Sequence, residues 1–362
     1  MKVAWKEITF QPKKFILIEL LIVLMMFMVI FLSGLTNGLG RTVSAQIDNF
    51  GDVHYTVTKD AEGVLTFSNP TDDQVIDLKS LNIKDAGELI IQRSTIFPED
   101  EASTLDITYF ATNDSSLLKP KLTSGNALEI RKHQIILDDA FEAKGVALGD
   151  SIKDKATKMT FEVVGFAKDA KYGHSSVAFI SKESYQDMRQ KIDPHYEWKP
   201  QALITNKPIA KSDLPKDMQT FNKKEIIEKI PGYMAEHTTL TMITWVLLLA
   251  SSAILGVFFY IMTLQKLKQF GVLKAIGMPM KNISAIQISQ ISILALLGVG
   301  IGLAFAMLLA IFLPKSMPFY MTSQANAVVS ISFVLIAVIC GSLSLFKIKQ
   351  VDPIEVIGGN GE

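Results

Sequence analysis

The sequence predicts a membrane protein with four transmembrane helices and a large α+β extracytoplasmic domain between helices 1 and 2. Three observations predict it. The 362 residues are 49% hydrophobic with a mean hydropathy of +0.28, too apolar for an ordinary soluble chain of this length. Four apolar stretches reach the ~20 residues needed to cross ~30 Å of hydrocarbon. The charges balance at 36 basic and 36 acidic but are segregated: residues 41–238 hold 25 basic and 31 acidic side chains, a net of −6, and the rest of the chain carries +6.

Residues 1–14 read as a cytoplasmic interfacial helix, with Ala4, Trp5 and Ile8 near one face and Lys2, Lys6 and Glu7 elsewhere; Pro12 turns it into the first span. Residues 15–40 are transmembrane helix 1 and its exit. The apolar run is longer than a signal-peptide core and no small-residue cleavage site follows it. Glu19 sits one turn inside the cytoplasmic edge, where Lys13 or Lys14 can reach a snorkelling carboxylate; a proton or ligand role is the competing reading. GLTNGLG (34–40) lacks the lysine of a phosphate loop and reads as a flexible exit from the bilayer.

Residues 41–238 form the extracytoplasmic α+β domain with a helical stalk. HYTVT (54–58), VLTFS (64–68), ELIIQRSTIF (88–97), DITYFA (106–111), MTFEVVGFA (159–167) and SVAFI (176–180) have strand composition. Segment 133–152 reads as a strand, a short helix closed by Gly145 and a turn at Gly149-Asp150. Ser181 caps a helix, 206–218 is a linker, and a stalk broken at Pro231-Gly232 leads into the next span.

Residues 239–264 are transmembrane helix 2, 265–283 a cytoplasmic segment, 284–313 helix 3, 314–326 a short outside loop, 327–346 helix 4 and 347–362 a cytoplasmic tail. Lys2, Lys6, Lys13 and Lys14 precede span one; Lys266, Lys268, Lys274 and Lys281 lie between spans two and three without an acid, and Lys347 and Lys349 follow span four. The connection between spans three and four has only Lys315. By the positive-inside rule both termini are cytoplasmic and the acidic block is outside.

Several chemistries find no support. The single Cys340 excludes an intrachain disulfide framework and a cysteine metal cluster. There is no P-loop, so ATP is not hydrolysed by this chain itself, and no H-E-x-x-H. Ser175-Ser176 beside His174 lack a nucleophile elbow. No catalytic residue, metal ligand set, intrinsic cofactor or nucleic-acid partner is expected.

One span, an outside domain of about 200 residues and three further spans resemble the MacB/FtsX-type permeases of ABC transporters. QKLKQFGVLKAIGMPMKNI (265–283) is similar to that family's cytoplasmic coupling segment, DPIEVI (352–357) to its closing tail, and GNALEIRKHQIILDDAFEAKGVALGDSI (125–152) to its outside-domain core. The resemblance implies a multi-pass cell-membrane permease, not an enzyme, that works with a second copy of itself and two copies of a separate ABC ATPase subunit. It places the ATPase contact on Phe270, Leu273, Lys274, Ile276 and Gly277. On the residues alone, Phe270, Leu273 and Ile276 offer an apolar face, and Gly277 with Pro279 ends the helix. Gln269-Phe270 departs from the family pattern, which often has an acid there.

MKVAWKEITF (1–10), YGHSS (172–176), YMAEHTTL (233–240), FFYIMTLQK (258–266) and MPFY (317–320) look like the heme-export permeases of Gram-positive bacteria. That implies heme as substrate and a Gram-positive source. Ferric heme is a flat apolar ring with two carboxylates whose iron accepts Tyr, His or Met, so the candidates are Tyr172, His174, Tyr233, Met234, His237 and Met28. Competing readings stand beside these: an aromatic-belt residue for Tyr233, a buried loop tyrosine for Tyr172, span packing for Met28. Export of antimicrobial peptides or lipid-linked antibiotics, and FtsX-like signalling without a transported substrate, are the alternative functions.

Overall fold

In the computed structural model, which describes residues 2–10, 12–98, 104–125, 130–314, 317–343 and 345, the chain forms two compact units, 1–38 with 238–362 and 39–237. The DPIEVI motif, Lys315, Lys347, Lys349 and residues 126–129 lie outside the described residues. In chain order, α1 (Lys2–Phe10) leads into α2 (Pro12–Asn49). Then come β1 (His54–Thr58), α3 (Asp72–Ser80), β2 (Gly87–Pro98), β3 (Leu105–Thr112), β4 (Leu122–Gly125), β5 (Gln134–Asp138) and β6 (Ser151–Asp154). They are followed by β7 (Thr160–Ala167), β8 (Lys171–Tyr172), β9 (Ser175–Ser181), α4 (Lys182–Gln190), β10 (Ala202–Thr205), β11 (Met218–Asn222) and α5 (Lys223–Lys229). The chain returns through α6 (Tyr233–Gln265), α7 (Leu267–Ala275), α8 (Met280–Phe312) and α9 (Ser323–Ser342).

The domain is one mixed sheet in the order β11-β1-β10-β2-β3-β9-β5-β7-β4, with β6 bridging β2 and β7 and β8 paired to β9. Its central strands read as unbroken apolar runs because both faces are covered. Side chains alternate across a strand: Leu89 and Ile91, Phe110, Ile136, Val177 and Phe179 enter one core, while Ile90, Tyr109, Ile135, Leu137, Ala178 and Ile180 enter the other. The first core is closed by Val43 and Ile47 of α2, by Phe50 just past its end and by α5, the second by Tyr185 and Met188 of α4 and by Phe141. VLTFS contributes a 3-10 turn, Leu65–Phe67, instead of a strand. Ser181 caps α4 by accepting from Ser184 N–H at 3.2 Å.

Four helices, α2, α6, α8 and α9, are long and apolar enough to span a membrane. They share a core of Ile22, Met26, Leu255, Phe259, Leu294, Ala295, Phe333 and Ala337. Small residues let the backbones approach, as bundles without a hydrophobic driving force require: a Cβ on Gly298 would lie 2.2 Å from Ile22, and one on Gly302 3.2 Å from Met26. Glu19 turns its carboxylate into this bundle, and both oxygens are buried without a hydrogen-bond partner among the described residues. The expected snorkelling to the lysines is not what the side chain does. Helix α9 starts at Ser323, earlier than the apolar run at 327, because Thr322 accepts from Ala325 N–H and caps it.

The expectation of a flexible exit at GLTNGLG is corrected: α2 continues through it to Asn49. The glycines serve close approach instead. Tyr320 N–H donates to Gly34 O at 2.9 Å, and a Cβ on Gly34 would lie 2.5 Å from the Phe319 ring. On Gly38 it would lie 2.1 Å from Pro318 O. Gly38→Ala is therefore expected to destabilise the chain by about 1–3 kcal/mol, seen as lowered membrane abundance and melting temperature. Gly300→Ala, with nothing within 4 Å of the new carbon, should leave both unchanged.

Candidate functional site

The turn carrying His174 is seated on a buried carboxylate. Asp138, wholly buried at the end of β5, accepts from Ala170 N–H at 3.0 Å and the Ser176 hydroxyl at 2.7 Å, and pairs with Lys171. A buried charge persists only when it is paired and hydrogen-bonded, so these contacts hold β8 against β9. The two turn residues between them, Gly173 and His174, have φ of +55° and +62°, the left-handed pair that a tight hairpin turn needs. Their N–H groups donate to Val43 O at 2.9 Å and Thr42 O at 3.1 Å, and Arg93 donates to Gly173 O at 2.7 Å.

The His174 ring thereby lies between two helices. Its Nδ1 is 3.0 Å from Thr42 Oγ1 on α2 and its Nε2 is 3.0 Å from Glu236 Oε1 on α6. The Thr42 hydroxyl donates to Leu39 O at 2.7 Å, which leaves its oxygen free to accept from the ring. One turn apart on α6, Tyr233 and His237 stack with centroids 5.4 Å apart and planes 13° apart. Both face Gly40 of α2, where a Cβ would be 3.6 Å from each ring. Met234 is exposed beside them.

Tyr172 is separate from this group. It is 6% exposed, packs edge-on against Phe110 at 5.4 Å, and belongs to the domain core. Burial pushes its hydroxyl well above the usual phenol range, against a weaker opposing pull from Arg93. Met28 is exposed on the membrane part of α2. The structure thus gathers His174, Tyr233 and His237 near Glu236. Sequence reasoning missed Glu236, Thr42 and Gly40. Glu236 stood inside the YMAEHTTL stretch, but its partner is 62 residues away.

Segment 265–283 contains α7, closed by a Schellman turn in which Met278 N–H reaches Leu273 O at 3.0 Å and Gly277 N–H reaches Lys274 O at 3.0 Å. Gly277 takes the required φ of +90°. The expected contact residues divide between two faces. Phe270 is buried against Ile283 and Leu273 packs beside it, whereas Ile276 is 73% exposed together with Val272 and Ala275. The outward face is therefore Val272, Ala275 and Ile276, with Lys268 and Gln269 along it. Phe270→Ala should cost about 3 kcal/mol of stability, whereas Ile276→Asp should leave the melting temperature of the solubilised chain and its membrane abundance unchanged.

Residues 15–211 match the family model described as a MacB-like periplasmic core domain, and residues 241–353 match the FtsX-like permease C-terminal model. The chain is 32% identical over 99% of both chains to a Staphylococcus epidermidis protein named "Putative hemin transport system permease protein HrtB". A Staphylococcus haemolyticus protein of the same name is 29% identical, again over 99% of each. The solved extracellular domain of the noncanonic ABC-type transporter YknZ from Gram-positive bacteria aligns with 47% of this chain and 100% of its own, at 17% identity and a TM-score of 0.33.

Proposed function

The chain belongs to the MacB/FtsX-type permeases of ABC transporters, and from that premise we propose that it is the permease subunit of an exporter that extrudes heme from the membrane. A separate ATPase subunit, in two copies, drives it, and the permease itself acts as a pair. The observation that carries the heme reading is full-length similarity to relatives named for hemin transport. The stacked Tyr233–His237 pair, with Met234 exposed next to it, supports it chemically. Phenol, imidazole and thioether are all iron ligands, and a flat ring surface suits a porphyrin face.

In this reading α1 and α7 are cytoplasmic and the α+β domain is outside, an orientation supported by the lysine distribution. The Val272, Ala275 and Ile276 face of α7 fits an apolar groove on the ATPase, with Lys268 at its edge. Closure of the paired ATPases pushes α7, the spans tilt, and substrate held in the outer leaflet at the seam between the two permeases is expelled. Binding need not be tight, because an exporter must release what it holds.

The purified chain with added hemin should show the charge-transfer absorbance of iron–phenolate ligation. Tyr233→Phe combined with His237→Ala should remove that feature and weaken binding about tenfold, or ~1.4 kcal/mol. Tyr172→Phe should leave the spectrum as it was, since its side chain packs in the domain core. An unchanged spectrum and unchanged hemin tolerance in the Tyr233/His237 variant would contradict the site.

A further inference from the structure

Where α6 gives way to α7 the chain turns at Lys266, with φ −99° and ψ 1°, and the corner carries a closed ring of hydrogen bonds. The Lys266 ammonium, its side chain 9% exposed, donates to Glu7 Oε1 at 2.5 Å and to Gln290 Oε1 at 3.1 Å. It also lies 5.3 Å from the centre of the Phe15 ring. Gln290, wholly buried on α8, donates from Nε2 to the second Glu7 oxygen. Each of the three side chains meets the other two. An amide suits the third place because it can accept from an ammonium and donate to a carboxylate at once. One turn along α8, Gln287 donates to Thr263 Oγ1 at 3.0 Å, a second polar tie between α6 and α8.

The sequence places Glu7 off the Ala4, Trp5 and Ile8 face of a surface helix, and its carboxylate nevertheless meets Lys266 and Gln290. Beyond the apolar contacts of Ala4 and Ile8, the ring gives α1 a directional attachment to the corner. Separating the ring would leave a charge buried without its partner, which is strongly unfavourable. We propose that Glu7, Lys266 and Gln290 are positioning residues for energy coupling: they lock α1, the α6–α7 corner and the first third of α8 into one body. A push on the exposed face of α7 then carries α1 with it. The proposal rests on the reading of the chain as an ABC permease.

The test uses the full-length chain in nanodiscs, alone and co-purified with its ATPase, as Glu7→Lys, Lys266→Glu and the exchange carrying both. Gln290 can turn its amide over and serve the reversed pair, so the exchange should restore what either single change loses. In the chain alone, α1 amides should exchange with deuterium roughly tenfold faster in each single variant and return toward the original rate in the exchange. In the complex, the single variants should keep their membrane abundance, bound ATPase and ATP turnover. Hemin moved per ATP hydrolysed should fall about fivefold and recover in the exchange. Unchanged α1 exchange and unchanged hemin per ATP in the single variants would overturn the proposal, as would losses that the exchange does not restore. If the unaltered chain moves no hemin, the heme reading fails, and the α1 exchange pattern alone still decides the joint.

Discussion

Inside roughly 30 Å of hydrocarbon no water is available to a backbone N–H or C=O, so each must be satisfied within the chain. The four apolar helices answer that requirement, and it explains how polar groups are placed around them. Close helix approach has to come from small residues, hence Gly298 and Gly302 against α2 and Gly341 against Ile291. The Met317–Tyr320 segment, which is not helical, sends its Tyr320 N–H to Gly34 O. Lys266, in the corner between α6 and α7, is met by Glu7 and Gln290.

The α+β domain obeys a different solvent. Its sheet has two apolar faces because strand alternation feeds two cores, so helices must cover both sides. Covering the first core brings the C-terminal end of α2 and the start of α6 beside the Gly173-His174 turn. Asp138 keeps that turn in place through Ala170, Lys171 and Ser176. A histidine between two helices, with an aromatic stack one residue along α6, is thus a consequence of how the sheet is packed. The ligand chemistry proposed for Tyr233 and His237 draws on that arrangement.

Much of this was legible in the sequence, where the signal is local. Span positions follow from apolar length, strands such as HYTVT and DITYFA from composition, and the ends of α4 and α7 from Ser181 and Gly277. What was not legible depends on partners distant along the chain. GLTNGLG reads as a flexible exit until Pro318 and Phe319 are seen against it. Glu7 reads only as a residue off the apolar face of α1 until Lys266, 259 residues later, is beside it. Tyr172 stands in the sequence both as a heme-ligand candidate and as a buried loop tyrosine, and its place in the domain core decides for the second. VLTFS has strand composition, but it folds as a 3-10 turn between β1 and α3.

In the proposed function, force enters on the α7 side of the bilayer and the α+β domain stands on the other. Since Cys340 is the only cysteine, replacing it with Ala gives a clean background for single-cysteine labelling. Lys144 in the domain and Lys268 on α7 are both exposed. On intact cells an impermeant thiol reagent should modify Lys144→Cys and spare Lys268→Cys, which should react only after the membrane is opened. Labelling of Lys268→Cys on intact cells with Lys144→Cys protected would contradict the account.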